Sequence, residues 1–147
     1  MDSVIDYREF IRFLDELNNC NCRFSDALVL IMEYYHILVC ELARNSGLSD
    51  ETIKGYRNNE NSPNPITVIQ LCLAMKIPYC VALILLRKAG VVLGIRNEDF
   101  LYAFFLEHSK EFEIYDCNQL IEEYNLGIFY KENLAKKFKE PKVKSTE

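Results

Sequence analysis

Ser49, Asp50, Glu51, Thr52, Lys54, Arg57 and Asn58 crowd the most useful polar groups of this chain into one short stretch. Lys54 and Arg57 are cationic donors of the kind that neutralise phosphate. Thr52 and Asn58 can donate to the same oxygens. Asp50 and Glu51 can accept a hydrogen bond from the exocyclic amine of cytosine in a major groove. The two carboxylates have a second use, because acids at the start of a helix complement its dipole by about 0.3–1 kcal/mol each. Beside phosphate, uncompensated, they repel. Arg57 is also open to two readings, a phosphate contact or a partner for Glu60.

These side chains need a frame, and their neighbours describe one. Leu42 and Ala43 end a short apolar face, and Gly47 follows where a helix needs a left-handed stop. Leu48 turns back inward. Ser49 can cap a new helix that Thr52, Ile53 and Tyr56 continue. Two short helices, at 39–46 and 50–57, around a turn containing Gly form a helix-turn-helix, whose second helix is the one that enters DNA. Residues 58–65 are rich in Asn, Ser and Pro and read as a loop. Pro65 opens a helix at 66–76, and Pro78 starts another that Gly90 stops.

Upstream, Tyr7, Phe10, Ile11, Leu14 and Leu17 recur at helical steps and predict a helix over 6–17. Ser25 is a candidate N-cap for a helix at 26–35, apolar on most of its circumference and therefore expected at the centre. His36, at its end, reads as a surface or C-terminal capping residue. Downstream, Phe100, Leu101, Phe104 and Phe105 predict a helix from 97 to 108, and Asn125 repeats the role of Gly90 as a stop. No alternating strand pattern is visible. The expectation is an all-α chain of eight or nine helices, with Leu42, Ala43, Leu48, Ile53, Tyr56, Ile69 and Leu73 in one core.

Leu42-Ala43, Gly47-Leu48-Ser49, Thr52-Ile53, Tyr56, Asn58, Pro63 and the run Val68, Ile69, Leu71, Leu73, Ala74 resemble the Xre-type, lambda-repressor-like helix-turn-helix regulators of bacteria and phage. The resemblance implies a lambda-repressor-like five-helix DNA-binding domain at 24–90, with an N-terminal extra helix and loop at 1–23. It puts base-reading positions on Asp50 and Glu51, and a further one a turn later on Gly55, which has no side chain. It also puts Val39 where a phosphate-contacting Gln is common. Leu86-Arg-Lys-Ala-Gly90, Glu98-Asp99, Phe105-Leu-Glu-His108 and Asn118-Gln-Leu-Ile121 resemble an extension carried by some Xre-type regulators of Gram-positive bacteria. That likeness implies a C-terminal helical extension at 91–135, suited to dimerisation. Residues 136–147 form a basic tail that reads as a solvated terminus.

Composition narrows the function classes. The chain has 147 residues, 50% of them apolar, enough for one continuous core. No apolar run reaches the roughly 18 residues of a membrane span. The acidic start lacks a signal-peptide pattern, so the expected location is cytoplasmic. Of six cysteines, Cys40, Cys72, Cys80 and Cys117 sit among apolar residues and are expected as buried free thiols. Cys20 and Cys22 form a pair without further ligands at zinc-site spacing, so no metal or other cofactor is expected. His36 and His108 have no nucleophile arranged beside them, and no Gly-rich phosphate loop exists, so no enzyme is expected.

The net charge of −5 divides unevenly. Residues 1–23 hold three Arg against five Asp and Glu, for −2; residues 24–90 hold six Lys and Arg against six acids, for 0; residues 91–147 hold eight against eleven, for −3. A neutral DNA-binding unit must depend on where its few cations stand. The expected function is a sequence-specific DNA-binding transcriptional regulator, a homodimer on double-stranded DNA. The alternative is a protein-interaction or antitoxin-like module on the same fold with a weakened DNA face.

Overall fold

The computed structural model describes residues 6–113 together with 116, 117, 119 and 120. Among them are seven α-helices, one 3-10 turn and no strand: α1 (Tyr7–Asn18), α2 (Phe24–Tyr34), α3 (Val39–Ser46), α4 (Asp50–Arg57), α5 (Pro65–Met75), α6 (Tyr79–Lys88), α7 (Asn97–Glu107), then the turn Ser109–Glu111. The part of the expected extension after Leu120, with Asn125, and the basic tail lie outside the described residues.

The helices start in two ways. Asp6, Ser49 and Asn64 cap α1, α4 and α5 with side-chain oxygens, Asn64 taking the Thr67 N–H at 2.8 Å with Pro65 as the first helical residue. Arg23, Leu38 and Arg96 precede α2, α3 and α7 and have no oxygen to offer. There an acid three residues on reaches back. Asp26 accepts the Arg23 N–H at 3.0 Å, Glu41 that of Leu38 at 3.4 Å, and Asp99 those of Gly94 and Arg96 at 3.1 and 3.4 Å. The start of the second helix is therefore corrected. Ser25 is not its cap but a buried residue of its first turn, and the helix opens earlier, at Phe24, because Asp26 supplies the capping contact.

Three helices end alike. His36, Asn59 and Gly90 follow α2, α4 and α6 with φ of 57°, 63° and 77°. The next N–H returns to a carbonyl five residues back: Ile37 to Met32, Glu60 to Gly55, and Val91 to Leu86, at 2.8, 2.8 and 2.9 Å. This is the Schellman closure of a helix C-terminus. Gly90 thus stops its helix as expected, and His36 takes the capping role.

The centre of the fold is α5. Every residue from Ile66 to Met75 is buried, and the helix packs on α3, α6 and α7. This corrects the expectation that the second helix is central. Leu30 is only half-buried and Glu33 is exposed, because α2 carries two carboxylates that need water while α5 carries no charge. Leu42, Ala43, Ile53, Tyr56, Ile69 and Leu73 are buried in one cluster with Leu48 half-buried against it. The same cluster takes in Phe13 and Leu17 of α1 and Tyr102, Phe105 and Leu106 of α7, so the core runs without a break past residues 23 and 90. Cys72 and Cys117 are buried, which pushes both thiols up to about 12. Cys40 and Cys80, expected inside, are exposed. Each is the second residue of its helix, ahead of the first buried position.

Candidate nucleic-acid interface

The turn between α3 and α4 is held from three directions. Gly47 adopts φ 85° and returns its N–H to the Ala43 carbonyl at 2.9 Å. Ser46, buried, accepts the Leu48 N–H on its hydroxyl at 3.2 Å. The Ser46 carbonyl, otherwise an orphan of the helix end, receives the Nε2 of buried Gln70 on α5. Ser49 then opens α4, taking the Thr52 N–H at 3.1 Å and the Thr52 hydroxyl at 2.8 Å. Gln70 was missed in the sequence. Its only signal there is a polar amide inside the apolar run of α5.

On α4, Ile53, Gly55 and Tyr56 are buried, and the burial of Tyr56 raises its phenol above the ordinary range. Asp50, Glu51 and Lys54 are exposed, and Thr52 and Arg57 are half-buried. At 100° per residue, Asp50, Glu51, Lys54 and Arg57 fall within a sector of about 120° on the outer side. That sector carries two acids in the first turn and two cations in the last. The order suits the helix dipole, and the sum of formal charges is zero. None of the four makes an ion pair within 4.0 Å among the described residues, so Arg57 is not engaged by Glu60. Ser49 and Asn58 are exposed at the two ends of the helix. The structure therefore brings all seven expected residues to one helix and its caps.

Gly55 does not join them. The backbone after α4 folds back, with the Glu60 and Asn61 N–H groups both on the Gly55 carbonyl at 2.8 and 3.3 Å. The Asn61 amide then lies over the glycine where a Cβ would stand. Gly55 is buried beneath a loop and faces no outside partner. Val39 is half-buried at the first residue of α3 and offers only an apolar side chain.

Elsewhere, His108 and Lys76 make contacts at helix ends. His108 closes α7, lies 3.4 Å from a Glu111 carboxylate oxygen and rests on the Phe104 ring. Lys76 donates to the Ser109 and Phe112 carbonyls at 3.1 and 2.8 Å, tying the segment after α7 to the end of α5. Among the described residues no three His, Cys, Asp or Glu side chains gather as metal ligands, and no helix is long and apolar enough to cross a membrane. Compared with family models, curated protein sequences and solved structures, the chain matches none.

Proposed function

We propose that this chain is a sequence-specific DNA-binding transcriptional regulator that acts in the cytoplasm as a homodimer, with α4 as its recognition helix in a lambda-repressor-like arrangement. One observation carries the reading: α3, the Gly47 turn and α4 are locked to the core by Gln70, while the outer side of α4 stays clear of it with Lys54 and Arg57 unpaired among the described residues. Lys54 and Arg57 supply phosphate contacts, and Thr52, Ser49 and Asn58 add neutral donors. Asp50 and Glu51 stand at the leading end of the helix, where they select cytosine or reject poorly matched sites. Four cationic contacts per dimer give a salt slope of about −3.6, at about −0.9 for each phosphate neutralised.

The homodimer is supported by apolar groups on α7 and the loop before it. Val92, Ile95, Phe100 and Phe104 are 86%, 85%, 57% and 44% exposed. Covering such surface is favourable by about 25 cal/mol per Å². The proposed dimer has to hold its two α4 helices roughly 34 Å apart, as successive major grooves require.

A gel shift with the DNA upstream of the protein's own gene tests the reading, since regulators of this kind commonly act on themselves. A discrete complex that weakens steeply with salt is expected. Absence of any complex at low salt transfers the assignment to a protein-interaction module. The specific observations favouring that second reading are the zero net charge on the outer side of α4 and the covered Gly55.

A further inference from the structure

Away from α4, a groove of about 380 Å³ runs between α1 and α2. That volume lies within the range of clefts that hold ligands, about 300–1,000 Å³. Its floor is apolar: Phe13 and Tyr34 stack with ring centres 3.9 Å apart, and Leu30 lies beside them. Its rim is acidic. Glu9, Glu16 and Glu33 line it against a single cation, Arg12, for a net −2. Among the described residues none of these four makes an ion pair within 4.0 Å. An aromatic and aliphatic floor under unpaired carboxylates suits a strand bearing lysines. The methylene stems lie along the floor, and the ammonium heads reach the rim or the ring faces.

The same chain contains one segment of that chemistry. Lys136, Lys137, Lys139, Lys142 and Lys144 stand within nine residues against one acid, Glu140, for +4. Nowhere else does the sequence gather cations so densely. Fifteen residues, 121–135, lie between Leu120, the last described position, and Lys136. Extended, they span about 50 Å, more than a domain of this size measures across. We propose that the lysine-rich segment 136–144 docks in the acidic, aromatic-floored groove between α1 and α2 of its own chain. The inference rests on the groove and on charge complementarity, and stands whether or not α4 binds DNA.

Amide NMR on the full chain decides it. Two variants are compared with the parent: one with the five tail lysines changed to Gln, the other Glu16→Gln with Glu33→Gln. All seven positions are polar surface or tail sites, and circular dichroism verifies that both variants keep the parent's helix content. In the lysine variant, the amides of Glu9, Arg12, Glu16, Leu30 and Glu33 should shift. The same amides should shift in the parent as ionic strength rises from about 0.01 to 1 M, which shortens the screening length from about 30 to about 3 Å. In the glutamate variant, the amides of 136–144 should move toward unstructured values. Unmoved groove amides in the lysine variant overturn the proposal, as do shifts confined to α4 or α7. Shifts that grow with protein concentration assign the contact to a second copy and overturn its intramolecular form.

Discussion

Lys54 and Arg57 differ from Lys76 and Lys88 in what surrounds them. Lys76 and Lys88 are spent on carbonyls, whereas Lys54 and Arg57 have no partner among the described residues and share one side of a short helix. On the proposed dimer, Lys54→Glu and Arg57→Glu should each weaken binding to every DNA sequence alike and flatten the salt slope by about 1.8, one phosphate contact per copy. An unchanged slope would remove that residue from the phosphate contacts. Asp50→Ala and Glu51→Ala should instead change sequence preference or tighten non-specific binding. The seven polar residues of this site were legible in the sequence because a Gly stop, a Ser cap and an apolar return fix a short helix almost by themselves. Gln70 and Asn61 were not. Each acts across a long or looped separation, Gln70 on a carbonyl twenty-four residues earlier, and no local pattern announces such a contact.

At the scale of elements, the helices depend on a few end contacts. Gln70→Leu keeps the volume near α3 but leaves the Ser46 carbonyl without its donor from α5. The expected loss is about 1–3 kcal/mol in urea unfolding with an unchanged m-value. A loss below about 0.5 kcal/mol would mean that another group takes the donor's place. Asp99 does the equivalent service for α7. Burial pushes its carboxyl up, but the Arg96 guanidinium and the Gly94 and Arg96 N–H groups outweigh that and hold it below the ordinary carboxylate range. A lowered folded value stabilises the fold above the unfolded value of about 3.9 and ceases to do so as pH falls through the folded one. Asp99→Asn should therefore cost about 1–2 kcal/mol at pH 7, and the gap to the parent should narrow below about pH 4 in denaturant titrations. Periodicity, caps, prolines and glycine stops together located every one of these helices in the sequence. They misplaced the start of α2 because a cap supplied from the third helical residue looks like an ordinary helical acid. They also chose α2 over α5 as the centre, since both are apolar and only the two charges on α2 distinguish them.

For the whole molecule, the proposed dimer rests on the outer side of α7. Phe100→Glu with Phe104→Glu should convert the full-length protein from dimer to monomer in light scattering at tens of micromolar, and leave helix content unchanged, since neither ring is buried. A parent that is already monomeric at that concentration would exclude the proposed interface. Charge at this scale is a matter of separation. The acids of α1 and the lysines after residue 135 carry opposite signs at the two ends of one chain, while the helix-turn-helix between them is close to neutral. How far the second half extends the core was not readable from its short apolar motifs. The burial of Tyr102, Phe105 and Leu106 against α5 and α6 makes α7 part of the same unit.

The wrapping of α5 on every side has a consequence for how the molecule opens. An amide proton there can reach solvent deuterium only after α3, α6 or α7 has come away, and each of those also shares the common cluster. The peptide hydrogens of Ile69 to Leu73 should exchange slowest in the chain, at a rate set by complete unfolding, whereas those of α4's last turn exchange through local fraying. One short helix would then report the global stability of the protein, without denaturant, in a single exchange experiment.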